Sequence, residues 1–208
     1  TTVQVDNVPI VTLGALSSPV CVNANSVTLN GSPSGGSYTG AGVSGNVFNP
    51  ATAGAGSHTL MYVYTDGNGC SNNDMTTVQV DNLPVVTLGS LSSPMCVNTN
   101  SVTLNGSPSG GTYTGTGVSG NSFNPTAAGT GTHTLMYVYT DGNGCSNNDS
   151  AIVQVENLPI VTLGALSSPI CVNANSVTLN GSPSGGTYTG TGVSGNVFNP
   201  ATAGAGTH

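Results

Sequence analysis

A period of 75 residues governs this chain. Val3-Gln4-Val5 returns as Val78-Gln79-Val80 and again as Val153-Gln154-Val155. Cys21, Cys96 and Cys171 keep the same spacing, as do His58, His133 and His208. Residues 1–58 and 151–208 agree at 50 of 58 positions, and the changes are mild, such as Asp6 against Glu156 and Val20 against Ile170. Whatever fold one copy adopts the next must adopt too, so the chain is a tandem array of small domains. The expected division is a last strand of a preceding repeat at 1–7, repeats at 8–81 and 82–156, and a third repeat at 157–208 that lacks its final strands. Three periods come to 225 residues, so a stretch of a longer repetitive polypeptide is expected.

Within one period Gly, Pro, Asn and Asp punctuate the chain every 8–12 residues, and no 3.6-residue apolar spacing marks a helix. Strands are expected at Pro9–Gly14, Ser26–Asn30, Ser37–Thr39, Asn46–Phe48, His58–Thr65 and Met75–Val80. In Thr59–Thr65, Leu60, Tyr62 and Tyr64 share one face while Met61 and Val63 share the other, which reads as a central strand. Asp66-Gly67-Asn68-Gly69 then supplies a hairpin turn. Many short strands with Gly/Pro turns imply an all-β sandwich or barrel. Neighbouring domains meet at Val80-Asp81-Asn82-Leu83-Pro84, a linker short and stiff enough to favour a rod.

Charge narrows the function. The 208 residues include no Lys or Arg and seven acids, for a formal charge of −7. Without cations the chain cannot neutralise phosphates or anionic headgroups, which excludes nucleic-acid binding and electrostatic membrane attachment. No apolar run reaches the roughly 20 residues of a membrane helix. Gly, Thr, Ser and Asn make up 108 of the 208 residues, yet the apolar 36% falls in short alternating runs, so the chain folds instead of remaining disordered. A surface that has given up charge is tolerable if copies pack on one another through hydroxyls and amides, or if glycans coat it.

Cys21 and Cys70 lie 49 residues apart, as do Cys96 and Cys145, and Cys171 would find its partner beyond residue 208. Two disulfides within repeats, Cys21–Cys70 and Cys96–Cys145, are expected on this spacing. The alternatives are a Cys70–Cys96 bond across the domain boundary and free thiols. Disulfides would place the chain in an oxidising, extracellular setting.

Other motifs invite chemistry and have simpler readings. Gly40-Ala41-Gly42-Val43-Ser44-Gly45 fits a dinucleotide-binding spacing but runs into Asn46–Pro50 and no helix, so a turn is expected. One histidine per repeat is too few for a zinc site. Nothing around His58, Asp66 and the many serines resembles a nucleophile elbow, and no catalysis is expected. Asp66, Asn68 and Asp74, with Asp141, Asn143 and Asp149 in the next repeat, offer oxygen ligands for calcium, although turn chemistry also accounts for them. Asn30, Asn105 and Asn180 each open an N-glycosylation sequon. Asp149-Ser150-Ala151 has the form of a bacterial O-glycosylation site at Ser150.

The run Val22–Asn30, the Gly31–Gly36 segment, Gly42–Asn46, Phe48-Asn49-Pro50 and Tyr64–Cys70 together resemble the Ig-like tandem repeats of very large Bacteroidota-type surface proteins. Those are adhesins or gliding-associated filaments exported by the type IX route. The resemblance implies tandem Ig-like β-sandwich domains in a rod or filament at the cell surface, with no active site. It lacks the tryptophan of a true immunoglobulin domain. The expected function is an extracellular structural filament or stalk; the alternative is a multivalent adhesin binding glycans through loops such as Thr112–Thr116. Expected partners are other copies of the chain, with strand donation through Thr2–Val5, and glycans.

Overall fold

Each repeat opens on short strands, and the first two close on one long hairpin. In the computed structural model, which describes residues 1–208, the first repeat begins with β1 (Thr12–Leu13), β2 (Val20–Cys21), β3 (Val27–Thr28) and β4 (Gly31–Ser32). It continues through β5 (Ser37–Thr39), β6 (Val43–Ser44), β7 (Val47–Phe48), a helical turn α1 (Pro50–Ala53) and the hairpin β8 (Gly56–Thr65) and β9 (Ser71–Asp81). The second repeat follows the same order with β10 (Thr87–Leu88), β11 (Met95–Cys96), β12 (Val102–Thr103), β13 (Gly106–Ser107) and β14 (Thr112–Thr114). Then come β15 (Val118–Ser119), β16 (Ser122–Phe123), α2 (Pro125–Ala128) and the hairpin β17 (Gly131–Thr140) and β18 (Ser146–Glu156). The third holds β19 (Thr162–Leu163), β20 (Val177–Thr178), β21 (Gly181–Ser182), β22 (Val193–Ser194), β23 (Val197–Phe198) and α3 (Pro200–Ala203).

The chain is all-β and built from tandem β-sandwich repeats. In the first repeat one sheet has the order β2-β9-β8-β5, facing a three-stranded sheet β3-β7-β6 and the pair β1-β4. Between them lie Val11, Leu13, Leu29 and Phe48 from one layer, and Leu60, Tyr62, Val78 and Val80 from the other. Burying each of these large side chains is worth about 1.5–3 kcal/mol. The strand with apolar residues on both faces is central as expected: β8 pairs with β9 on one edge and β5 on the other. Leu60 and Tyr62 point into the core, and Met61 and Val63 are half-buried.

Three features differ from the expectation. The strand β9 starts at Ser71, not Met75, because its polar first half, Ser71–Asp74, continues the ladder opposite Tyr62–Thr65. The single turn α1 is fixed by Asn49, whose side chain accepts from Thr52 N at 3.2 Å, and by Pro50 at the first helical position. Residues 1–7, expected as a strand, form none, and Val3 and Val5 are exposed.

The tyrosine in the middle of β8 organises the loop between β4 and β5. Its hydroxyl accepts from Gly36 N at 2.8 Å and donates to Pro33 O. Gly31 and Gly36 have no room for a side chain: a Cβ at Gly31 would lie 2.5 Å from the Tyr62 ring, and one at Gly36 2.3 Å from Val63 O. Tyr38 stacks on Tyr62 with centroids 4.5 Å apart and accepts from Gly31 N at 2.7 Å. The second repeat reproduces the set with Tyr113, Tyr137, Gly106 and Gly111.

The chain forms two compact units, residues 1–95 with 99–155 and residues 96–98 with 156–208. The first two repeats therefore share one unit, and the reason lies at their junction.

Candidate functional site

One end of the first repeat presents a cysteine beside a carboxylate. The short strand β2 runs parallel to the end of β9, so Val20 faces Val80 and Cys21 faces Asp81. Val22 N donates to Asp81 O at 2.8 Å and closes this corner. Gln79 Nε2 donates to Asp81 Oδ1 at 3.1 Å, leaving Oδ2 available.

The hairpin loop of the second repeat presents the complementary groups. Asp141 Oδ1 accepts from Asn143 N and from Cys145 N, both at 2.9 Å, and Gly144 N donates to Asp141 O at 3.1 Å. Such a side-chain turn fixes the loop without help from outside. It carries Cys145 to Cys21, where a disulfide joins them with Cα atoms 5.5 Å apart. It also carries Asn143 to Asp81, and Asn143 Nδ2 donates to Asp81 Oδ2 at 2.8 Å. Cys145 is buried at this junction.

This corrects the expected pairing. Neither Cys21–Cys70 nor Cys96–Cys145 forms; Cys70, Cys96 and Cys171 are free thiols, and so the Cys70–Cys96 alternative does not form either. The geometry of β9 forbids the bond within a repeat. Cys21 stands opposite Asp81 at one end of that strand, and Cys70 immediately precedes Ser71 at the other. Eleven residues of extended chain separate the two ends by about 33 Å, whereas a disulfide spans Cα atoms about 4.4–6.8 Å apart. The bond that forms has a sequence separation of 124 residues, one period longer than the expected 49. A repeat with two cysteines is compatible with either spacing, so the periodic sequence could not choose between them.

Of the residues considered for calcium, the four aspartates Asp66, Asp74, Asp141 and Asp149 accept from backbone amides. Asp66 Oδ1 accepts from Asn68 N and Cys70 N, both at 2.9 Å, and Asp141 does the same for its own loop. Asn143 serves the junction with Asp81. Asp74 Oδ2 accepts from Leu13 N at 2.7 Å, and Asp149 Oδ2 from Leu88 N at 2.8 Å, pinning β1 and β10 onto the long hairpins. These amides, from Leu88 first and Ser150 second, hold the Asp149 carboxyl below the usual carboxylate value. No three His, Cys, Asp or Glu side chains converge on a common point.

The remaining candidates fall in separate places. His58, His133 and His208 each donate from Nε2 to the carbonyl of the glycine four residues earlier, Gly54, Gly129 and Gly204. They brace the helical turns α1, α2 and α3. Gly40, Gly42 and Gly45 adopt positive φ in the turns around β6, as a loop reading of that motif requires. Asn30, Asn105, Asn180 and Ser150 are exposed. Sequence reasoning missed Asn143 and Asp81 as a pair; both recur at the period, as Asn68 and Glu156, but nothing in a linear pattern says that they meet.

Fold and junction define a class: a tandem-repeat β-sandwich protein with successive domains covalently joined. No protein-family model matches the chain, and no curated protein matches it. Among solved structures it is similar to a Ca2+-stabilized adhesin with which an Antarctic bacterium binds ice, at 16% identity and a TM-score of 0.39, over 88% of this chain and 58% of that one. It is also similar to protocadherin gammaB7 extracellular domains 3–6, at 12% identity and a TM-score of 0.28, over 76% of this chain and 49% of that one. The chain thus spans about half the length of these structures, and the likeness is one of all-β architecture.

Proposed function

We propose that this chain is a load-bearing segment of an extracellular filament or stalk, a non-catalytic array of β-sandwich repeats bolted to one another by disulfides. The observation that carries the reading is the Cys21–Cys145 bond between consecutive repeats. A bond inside one domain would stabilise that domain alone; a bond between domains carries tension across the boundary. Disulfides persist in oxidising surroundings, which supports an extracellular location. The bacterial cell-surface setting, with export by the type IX route, rests on the sequence resemblance alone. The cation-free surface supports association with other copies of the chain. Glycans at the exposed Asn30, Asn105, Asn180 and Ser150 would coat it, and strand donation through Thr2–Val5 would extend it.

Pulling a single chain from its ends tests the reading. In oxidising buffer the stretch between residues 21 and 145 should stay closed, and adding a reductant should release it. Full extension without reductant would overturn the proposal. Electron micrographs of the purified protein give a second test: ordered fibres with a regular subunit repeat are expected. Isolated strings that bind sugar arrays would move the assignment to a multivalent adhesin.

A further inference from the structure

The long hairpin of the first repeat turns a second face away from the core, and that face carries no charge. Along β8 and β9 its residues alternate with the buried Leu60, Tyr62, Val78 and Val80. Met61 stands opposite Met75, with Thr59 opposite Thr77 on one side and Val63 opposite Asn73 on the other. The second repeat has the same design: Met136 stands opposite Ser150, and Thr134 opposite Ile152. β5 and β14 add Thr39 beside Met61 and Thr114 beside Met136. The acids of both hairpins lie elsewhere. Asp66 and Asp141 are in the loops, and Asp81 and Glu156 are at the far strand ends. Asp74 and Asp149 face the other way, toward the amides of Leu13 and Leu88.

Neighbouring repeats leave both faces open. Met75 is 58% exposed although the following repeat is bonded at Cys21, and Ile152 is 68% exposed although the preceding repeat is bonded at Cys145. An apolar centre that contains methionine, lacks charge and has a polar rim is the anatomy of a protein–protein interface. Its chemistry fits a second copy of itself. Hydroxyls and carboxamides both donate and accept, so an identical face can satisfy them, whereas two carboxylate faces would repel. Without charge the face offers nothing to an ionic partner, and without an aromatic ring it offers no platform for a sugar. Area sets the terms of association. Two strands about 4.8 Å apart and about 33 Å long present about 320 Å². A specific interface takes at least about 600 Å² from each partner, so one repeat falls short and two reach the lower limit. Association through this face therefore needs the array and tightens with each repeat that joins.

We propose, on the basis of the filament reading, that two copies of the chain associate side by side through these faces, like on like. The contact is centred on Met61 and Met75 in the first repeat and on Met136 and Ile152 in the second. A two-fold axis sets each apolar centre against the partner's, and the threonines and asparagines around it hydrogen-bond across. The acids remain at the ends of the face, where Asp81 is already occupied by Asn143 of the next repeat.

The full chain is tested with Cys70, Cys96 and Cys171 alkylated by iodoacetamide, so that no disulfide forms between copies. Sedimentation velocity at rising protein concentration should show the native chain passing from monomer to dimer and larger species. Met75→Glu or Ile152→Glu should weaken association by about tenfold or more, since each buries an unpaired charge against the partner. The double glutamate variant should stay monomeric and keep the native urea midpoint, because both positions are exposed. Met75→Lys with Ile152→Lys should be monomeric alone, and mixing it with the glutamate double variant should restore the dimer. A native chain that stays monomeric, glutamate variants that associate like the native chain, or a mixture that stays monomeric would each overturn the proposal. A monomeric native chain whose glutamate variants lose binding to a sugar array would assign the face to glycans instead. Pulling a single chain does not involve this face, so failure here leaves the covalent array standing.

Discussion

Cys21 and Cys145 stand 124 residues apart in sequence and 5.5 Å apart in space, bonded across the boundary between two repeats. Asn143 and Asp81 repeat the connection beside them with a hydrogen bond of 2.8 Å. The junction therefore has a covalent and a polar half, each with one residue from either repeat. A domain boundary that the sequence marks as a short linker is in three dimensions crosslinked by a disulfide.

The first prediction is a count. Five cysteines with one bond leave three thiols, whereas pairing within repeats would leave one. Denatured but unreduced protein should titrate three, and a value of one would contradict the junction. Replacing Cys21 and Cys145 together by serine should destabilise the first unit by about 3–5 kcal/mol, since the chain-entropy argument gives about 5 kcal/mol for closing so long a loop. Urea denaturation measures it.

The second prediction concerns the buried hydroxyl of Tyr62. Phenylalanine in its place keeps the packing but leaves Gly36 N and Pro33 O without their partner. Stranding buried backbone groups costs about 1–3 kcal/mol. Tyr137→Phe should act equally in the second repeat, where the hydroxyl accepts from Gly111 N at 2.8 Å. Because the two tyrosines lie in different sandwiches, the double variant should lose the sum. A double variant no less stable than either single one would refute that independence.

Glycines around the same tyrosine supply the third. Alanine at Gly31 would place a Cβ 2.5 Å from the Tyr62 ring, while alanine at Gly67, in the exposed hairpin turn, meets nothing within 4 Å. Gly31→Ala should cost about 1–3 kcal/mol through overpacking. Gly67→Ala should change stability by no more than about 0.5 kcal/mol. Thermal melts of the two variants would rank them, and an equal loss in both would show that the Tyr62 contact does not matter.

How much of this was legible in the sequence depends on the length of the signal. Ten residues of β8, with Leu60 and Tyr62 on one face, announce a central strand, and Asp-Gly-Asn-Gly announces the turn after it. Two-residue strands such as β2, β4 and β6 are too short to show alternation, and they form because neighbours offer them a ladder. The first half of β9 was hidden because Ser71–Asp74 is polar on both faces. Asp74 and Asp149 resembled ligands because a linear pattern lists their oxygens without the amides of Leu13 and Leu88 that claim them. The junction was hidden for a deeper reason. A perfect repeat makes pairing within a copy and pairing with the next copy look identical, and only the span of β9 separates them.

Asp149 supplies the last prediction, a dependence on pH. Its carboxylate accepts from Leu88 N and Ser150 N, and these bonds hold its folded pKa below the usual carboxylate value. A group with a depressed folded pKa stabilises the fold fully above its unfolded pKa, and that contribution is lost as pH falls through the folded one. Asp149→Asn cannot match it: the amide has one acceptor oxygen for two donors, and its NH2 would face the other amide. At neutral pH the variant should therefore unfold at lower urea than the native chain. As pH drops below the ordinary carboxylate range, the native Asp149 takes up its proton, loses the same advantage, and the two midpoints should converge. Urea midpoints of both proteins from neutral to strongly acidic pH test this, and a gap that stays constant across the range would show that the Leu88 and Ser150 bonds do not depend on the charge.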